Sequence, residues 1–366
     1  MATHQVMVFV GNGFDISVLR KYGNSLTTSY PTFYSFYKYK YPERDDNSLI
    51  LQMEKARDDG KENWSDFEAL LTEQLQKMNE RNKDEIEKLN KDLGEIQKAF
   101  SRFLNEVVDN DVLEKISVAT EQKPNGKKSL AIFSISEFLG DLSEKQYISN
   151  KFQNRVDNHD KLNMIFINFN YTALLDNYIY LDKESFEPSP YNTSNNNLVF
   201  NSNPNNYSGH DGFSDPFCCL LTELYHPHGY QDIPKSLLFG SEPINDEGKI
   251  VSSNDSRRMF VKSYWAQSEL KYGDYFNECS LFIIYGCSMG ESDNWWWRKI
   301  FRRLITDEAE LIIYNFGVED EKEIKRRFIK GCCISADDYV DKIEKNIFVI
   351  NFGPKVDREV IFLQLP

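Results

Sequence analysis

Basic residues are in short supply. Lys and Arg number 43 against 57 Asp and Glu, a formal charge of −14 over 366 residues. The densest basic stretches, Arg298-Lys299 with Arg302-Arg303 and Lys325-Arg326-Arg327, sit in helical patterns among acidic neighbours. Such a surface repels a phosphate backbone, so nucleic acid is not expected as a partner. No apolar run approaches the roughly 18 residues that span a bilayer. The first residues carry no basic segment ahead of their short apolar run, and the reading is a cytoplasmic protein with no membrane partner. Histidines are five and cysteines six, as Cys218-Cys219, Cys279, Cys287 and Cys332-Cys333. Without Cys-x-x-Cys or His-x-x-x-His, neither a zinc module nor a dithiol redox motif is written, and no metal is expected.

Aromatic residues, by contrast, make up 14% and hydrophobic residues 40%, enough to build a packed interior. Continuous apolar runs at Val6–Val10, Met164–Asn168, Leu237–Phe239, Leu281–Tyr285, Leu311–Tyr314 and Ile347–Ile350, bounded by Gly, Asn or Ser, suit strands buried on both faces. Between the first two the style changes. Ser65-x-x-Glu68 reads as a capping box. Ile86, Leu89, Leu93, Ile96, Phe100, Phe103 and Val107 then step by three or four, an amphipathic helix whose stripe either packs on its own domain or offers a seam to a partner. Leu130–Leu142 reads as a continuation of the helical segment. The stretch Asn192–Gly212 holds eight Asn and reads as a long polar loop. The expected fold is α/β: one domain over 1–366 with a Rossmann-like parallel sheet, helices on both faces, and a helical insertion from about 31 to 160.

Chemistry is expected where strands end. Gly11-Asn12-Gly13 follows the first strand and opens a helix, and bare backbone there lets dinucleotide phosphates approach a helix N-terminus. Asp15, in the same turn, either caps the helix or meets a ribose hydroxyl. Asn168-Phe-Asn-Tyr-Thr172, His226-Pro-His-Gly229, Gly286-Cys-Ser288 and Asn315 mark further strand ends. Each has a structural reading as well: Asn170 closing a turn, His228 a satisfied structural imidazole, Trp295-Trp-Trp297 core packing, Cys287 a small buried hydrophobe.

Taken together, Val8-Phe-Val-Gly-Asn-Gly-Phe-Asp15, Leu26-Thr-Thr-Ser-Tyr30, Trp64-Ser-Asp-Phe-Glu68, Phe169-Asn-Tyr-Thr172, His228-Gly229 and Gly286-Cys-Ser-Met-Gly-Glu-Ser-Asp293 resemble the motif series of the AbiH family of bacterial phage abortive-infection proteins. More distantly, the order Gly11/Gly13, Asn170, His228-Gly229, Phe239-Gly240, Gly286/Ser288, Asn315 is similar to sirtuin-like NAD-consuming domains. Asn12, Asp15 and Thr172 depart from that second pattern. The resemblance implies an NAD glycohydrolase acting in phage defence, with NAD as substrate. His228 would bond the ribose and act as base, with His226 as the fallback, and Asn170 would hold a water or the ribose near C1′. Gly11, Gly13 and Ser288 would line the diphosphate, with Asn12, Asp15 and Gly286 also binding the cofactor, and Asn315 would meet the adenosine ribose. The rival implication is a nucleotide-binding sensor without catalysis. Expected partners are NAD or a related nucleotide, a phage-derived or protein trigger, and a homo-oligomer or second protein through the helical insertion.

Overall fold

A computed structural model describes residues 2–365 apart from 24, 45, 62–63, 79–82, 127, 157–159, 181–198, 208–217, 242–255, 307 and 335–339. Its centre is one sheet of β1 (Thr3–Val10), β2 (Lys161–Asn168), β3 (Val199–Phe200), β4 (Cys218–Tyr225), β5 (Cys279–Tyr285), β6 (Glu310–Phe316) and β7 (Ile347–Phe352). The order is β3-β4-β2-β1-β5-β6-β7, and every pairing is parallel except the short β3–β4 edge.

The continuous apolar run of β1 follows from its place. Val6, Val8 and Val10 enter one core and Met7 and Phe9 the other, all fully buried. The first core lies under α1 (Asn12–Tyr22), α2 (Tyr30–Lys40), α3 (Ser48–Asp58), α4 (Phe67–Lys77), α5 (Lys83–Val107), α6 (Asn110–Glu121), α7 (Leu130–Ser136), α8 (Glu144–Ser149) and α9 (Leu174–Ile179). The second lies under α11 (Ser268–Glu278), α12 (Asn294–Ile305), α13 (Glu321–Gly331) and α14 (Val340–Glu344), after the short α10 (Lys262–Trp265). Helices therefore cover both faces of a mostly parallel sheet, as expected. From β1 the chain moves out to β2 and β4 on one side, and from β5 to β6 and β7 on the other. The β1–β5 boundary is thus the crevice at which such sheets take ligands.

Among the described residues between α1 and β2, all regular structure is helical. The seven-residue stripe of α5 is buried in the protein's own core, so it offers no seam to a partner.

Four local expectations change. Leu237–Phe239 is loop, apolar because Leu237 and Phe239 are buried in the same core as Phe100 of α5, not because it joins the sheet. The strand in that region is β4, whose partly exposed second half carries Thr222 and Glu223. At α4 no capping box forms: Asp66 caps Ala69 N–H at 3.0 Å, and Glu68 is drawn elsewhere. The Leu130–Leu142 segment breaks after Ser136 into a 3₁₀ turn, Phe138–Asp141. Of Asn192–Gly212, residues 192–198 and 208–212 lie outside the described residues; the rest holds the β3 edge strand.

Candidate functional site

Two polar groups converge at the carboxyl ends of β1, β2, β4 and β5. The first is built on Asp15, on the first turn of α1 and 1% exposed. Its carboxylate accepts from Asn170 Nδ2 at 2.9 Å and Thr172 Oγ1 at 2.7 Å. Asn170 Nδ2 also donates to the Gly11 carbonyl at 3.1 Å. A carboxamide has only two N–H hydrogens, so Asn170 is left with its oxygen as the free function. Burial pushes the Asp15 carboxyl up to about 7, against the Thr172 hydrogen bond and the nearby His226 ring. His226 stands behind this group, Nδ1 at 3.1 Å from the Asn170 carbonyl and Nε2 at 3.0 Å from Asp176. Both ring nitrogens face acceptors, so His226 is occupied in holding the β2 loop.

The second group centres on His228, 3% exposed and stacked on Phe169 with ring centroids 4.8 Å apart. Its loop is fixed from several sides: Leu238 N–H to the His228 carbonyl at 2.7 Å, Gln231 N–H to the Tyr171 carbonyl at 2.7 Å, and Ser101 and Gln97 of α5 to the carbonyls of Gln231 and Leu237, both at 2.6 Å. Gly229 is required at φ +99°, because a Cβ there would lie 2.0 Å from the Ser236 carbonyl oxygen. His228 Nε2 meets Asp293 Oδ1 at 3.4 Å. The same oxygen is 3.2 Å from Lys262 Nζ, which pairs with Glu68 of α4 at 2.8 Å. Glu68 also receives the Gly240 N–H at 3.3 Å.

Burial and the Lys262 ammonium together lower the His228 imidazole to about 4, so it is neutral at physiological pH. Burial would discharge Lys262, but the Asp293 and Glu68 carboxylates hold it above the usual lysine value. Asp293 resists its own burial because Lys262 and His228 stand beside it, and it lies below the ordinary carboxylate range. Glu68, with Asp293 as a like charge nearby, is raised by burial to about 7 despite Lys262.

The glycine turn at the crevice is closed on itself. Gly13 N–H donates to the Gly286 carbonyl at 2.9 Å, Gly11 N–H to Tyr285 at 2.9 Å, and Phe14 N–H to Gly11 at 3.0 Å. A Cβ on Gly11 would lie 2.6 Å from the Gly286 oxygen, and Gly286 itself sits at φ +67° with a Cβ position 2.8 Å from Phe14 N. These glycines serve a close approach of the β1 and β5 turns; in this geometry the Gly11 and Gly13 amides face backbone and not a phosphate. Asn12 turns to Thr28, donating to its carbonyl at 3.2 Å and accepting from its hydroxyl. Ser288 is exposed on the β5 loop. Asn315 lies two strands away at the end of β6, donating to Asn351 Oδ1 at 2.8 Å. Cys287 has its thiol pushed well up by burial and by Asp293, which suits packing better than nucleophilic attack. Trp296 and Trp297 are buried in the second core.

The structure thus brings Asp15, Asn170, Thr172 and His228 to one edge and leaves Asn315 apart. Sequence reasoning read Glu68 only as part of a capping box and assigned no role to Asp293, although both close motifs it singled out, and it missed Lys262, a lone lysine in an unremarkable stretch. Among the described residues no group of three His, Cys, Asp or Glu is placed to hold a metal, and no helix is long and apolar enough to cross a membrane. A cavity of about 520 Å³ lined by Tyr22, Asp111, Glu114, Lys115 and Val118 lies against α6 and holds none of the strand-end residues.

A protein-family model described as bacteriophage abortive infection AbiH matches residues 7–315. No curated protein matches the chain.

Proposed function

Because the chain belongs to the AbiH family of bacteriophage abortive infection proteins, we propose that its role in abortive infection is carried out by hydrolysing NAD to ADP-ribose and nicotinamide at the β1–β5 edge of the sheet. One observation carries the reading: the consecutive residues Phe169 and Asn170 join a neutral buried imidazole to a carboxamide held by a carboxyl that titrates near neutrality. In the reaction the C1′–N bond breaks with its electron pair going to the pyridinium nitrogen, water oxygen bonds C1′, and one proton is released. The leaving group departs neutral, so the site has to position water and ribose hydroxyls more than supply a strong nucleophile. Asn170, with only its oxygen free, suits a hydroxyl or water as donor. His228, neutral, suits the role of hydrogen-bond acceptor to the ribose, though burial makes it a weaker base than a free imidazole. Ser288 and the Gly286 turn would meet the diphosphate.

A second reading, a nucleotide-binding sensor without catalysis, is favoured by the engaged amides of Gly11, Gly13 and Phe14. The phosphate contacts require the β1 and β5 turns to part. Incubation of the purified protein with NAD, with and without lysate from phage-infected cells, separates the two. Nicotinamide release selects the hydrolase, saturable NAD binding without release selects the sensor, and neither one refutes both.

A further inference from the structure

Two motifs, Trp64–Glu68 and Gly286–Asp293, end on residues that have no part in the reaction as described, and those two residues meet at the same lysine. Lys262 is 3% exposed, 2.8 Å from Glu68 and 3.2 Å from Asp293. Charges buried this deeply are weak evidence of a stabilising role, since an apolar cluster of similar volume is often as stable or more so. They lie beside His228 at the ligand edge of the sheet, and all three charges reach it through one atom, Asp293 Oδ1.

We infer that Lys262 is a positioning residue for His228: it fixes the carboxylate oxygen that His228 Nε2 meets, and Glu68, delivered by α4 of the inserted helices, fixes Lys262 in turn. The insertion is then part of the site. The ammonium also keeps the imidazole unprotonated, opposing the attraction of Asp293 for a ring proton. Other titratable groups around the cluster are the Tyr30 and Tyr171 hydroxyls and the Cys287 thiol, all held protonated by burial, and Asp66 at the start of α4. None of them is a cation that could replace Lys262.

The test is an NMR titration of the five imidazoles in the whole chain, His228 being assigned with a His228→Gln variant. Wild-type His228 should titrate near 4. In Lys262→Met the cation is gone and Asp293 remains, so the midpoint should rise by about one unit or more, a tenfold gain in proton affinity. Glu68→Gln/Lys262→Met removes one charge of each sign and guards against a fold lost to unpaired carboxylates; it should show the same rise. A midpoint unchanged in whichever variant folds overturns the inference. So does failure of both to fold, which would assign Lys262 to the fold alone. The kinetic half rests on the hydrolase reading: nicotinamide release should fall about 10²-fold while the Kd for NAD stays within about twofold. Wild type without release defeats that reading, and the titration still decides the place of Lys262.

Discussion

Phe169 and His228 lie ring on ring, 14° from parallel, so the loop after β2 is packed directly on the loop after β4. The next residue along, Asn170, is bound to α1 through Asp15. A disturbance at any one of these three segments is therefore felt at the other two.

The two histidines of the β4 loop should separate cleanly. If the hydrolase reading holds, His228→Ala should lower nicotinamide release by about 10²–10⁴-fold with a smaller effect on NAD binding. His226→Ala, which loses its bonds to Asp176 and the Asn170 carbonyl, should lower the melting temperature and weaken binding and turnover together. The reverse pattern would move the assignment from His228 to His226.

Asp15 should make its mark on stability as a function of pH. Its carboxyl is raised from 3.8 to about 7 in the fold, so the folded chain holds that proton more tightly than the unfolded one. The resulting stabilisation is present in full below about pH 4 and is lost as pH rises through 7. Asp15→Asn stays neutral throughout, with Oδ1 able to accept from Asn170 and Nδ2 able to donate to Thr172. Its melting temperature should gain on wild type between pH 4 and 7, by on the order of 4 kcal/mol in stability, and hold that gain above pH 7. A difference that does not change with pH would show that Asp15 titrates as an ordinary carboxyl.

Two glycines predict opposite signs. Gly229→Ala meets both a left-handed backbone and the Ser236 carbonyl, and should lose roughly 1–3 kcal/mol from the backbone conformation, with the overlap adding to it. Gly94 lies inside α5 with nothing within 4 Å of its Cβ position, so Gly94→Ala should gain about 0.5–1 kcal/mol. Denaturant unfolding of the pair checks both, and a Gly229→Ala as stable as wild type would mean the His228 loop is not held as described.

Phe100 should be a costly deletion. It contacts Phe33, Tyr171 and Phe239 at centroid distances of 4.9, 5.7 and 5.2 Å, spanning inserted helices, the β2 loop and the β4 loop. Phe100→Ala should destabilise by about 3–5 kcal/mol. Its melting transition should also precede any loss seen in Phe→Ala at the partly buried Phe36.

Most of the sheet was legible because a strand segment buried on both faces is apolar on both, as Val6–Val10, Leu281–Tyr285 and Leu311–Tyr314 are. β4 escaped notice for the complementary reason: it runs beside the edge, and Thr222, Glu223 and Tyr225 are only partly buried. Leu237–Phe239 misled because burial under a helix and burial in a sheet write the same short apolar run. At the site, Asn170 and His228 stood out by their neighbours. Lys262 could not, because a single buried cation is identified by its partners in space, and these lie 194 and 31 residues away. Glu68 looked like a helix cap until Asp66 proved to hold that position.

The place of β1 bears on how the chain is made. It is the middle of the sheet and wholly buried from Val6 to Val10, yet its partners are β2, which begins at Lys161, and β5, which begins at Cys279. During synthesis this buried strand emerges well before either neighbour, and β5 follows it only after most of the polypeptide. Pairings so distant in sequence close slowly and leave hydrophobic edges exposed while they wait. Nascent chains that have yet to receive β5 should be the form that aggregates or engages chaperones, and refolding of the whole chain should be limited by docking of residues 279–285 against the first strand.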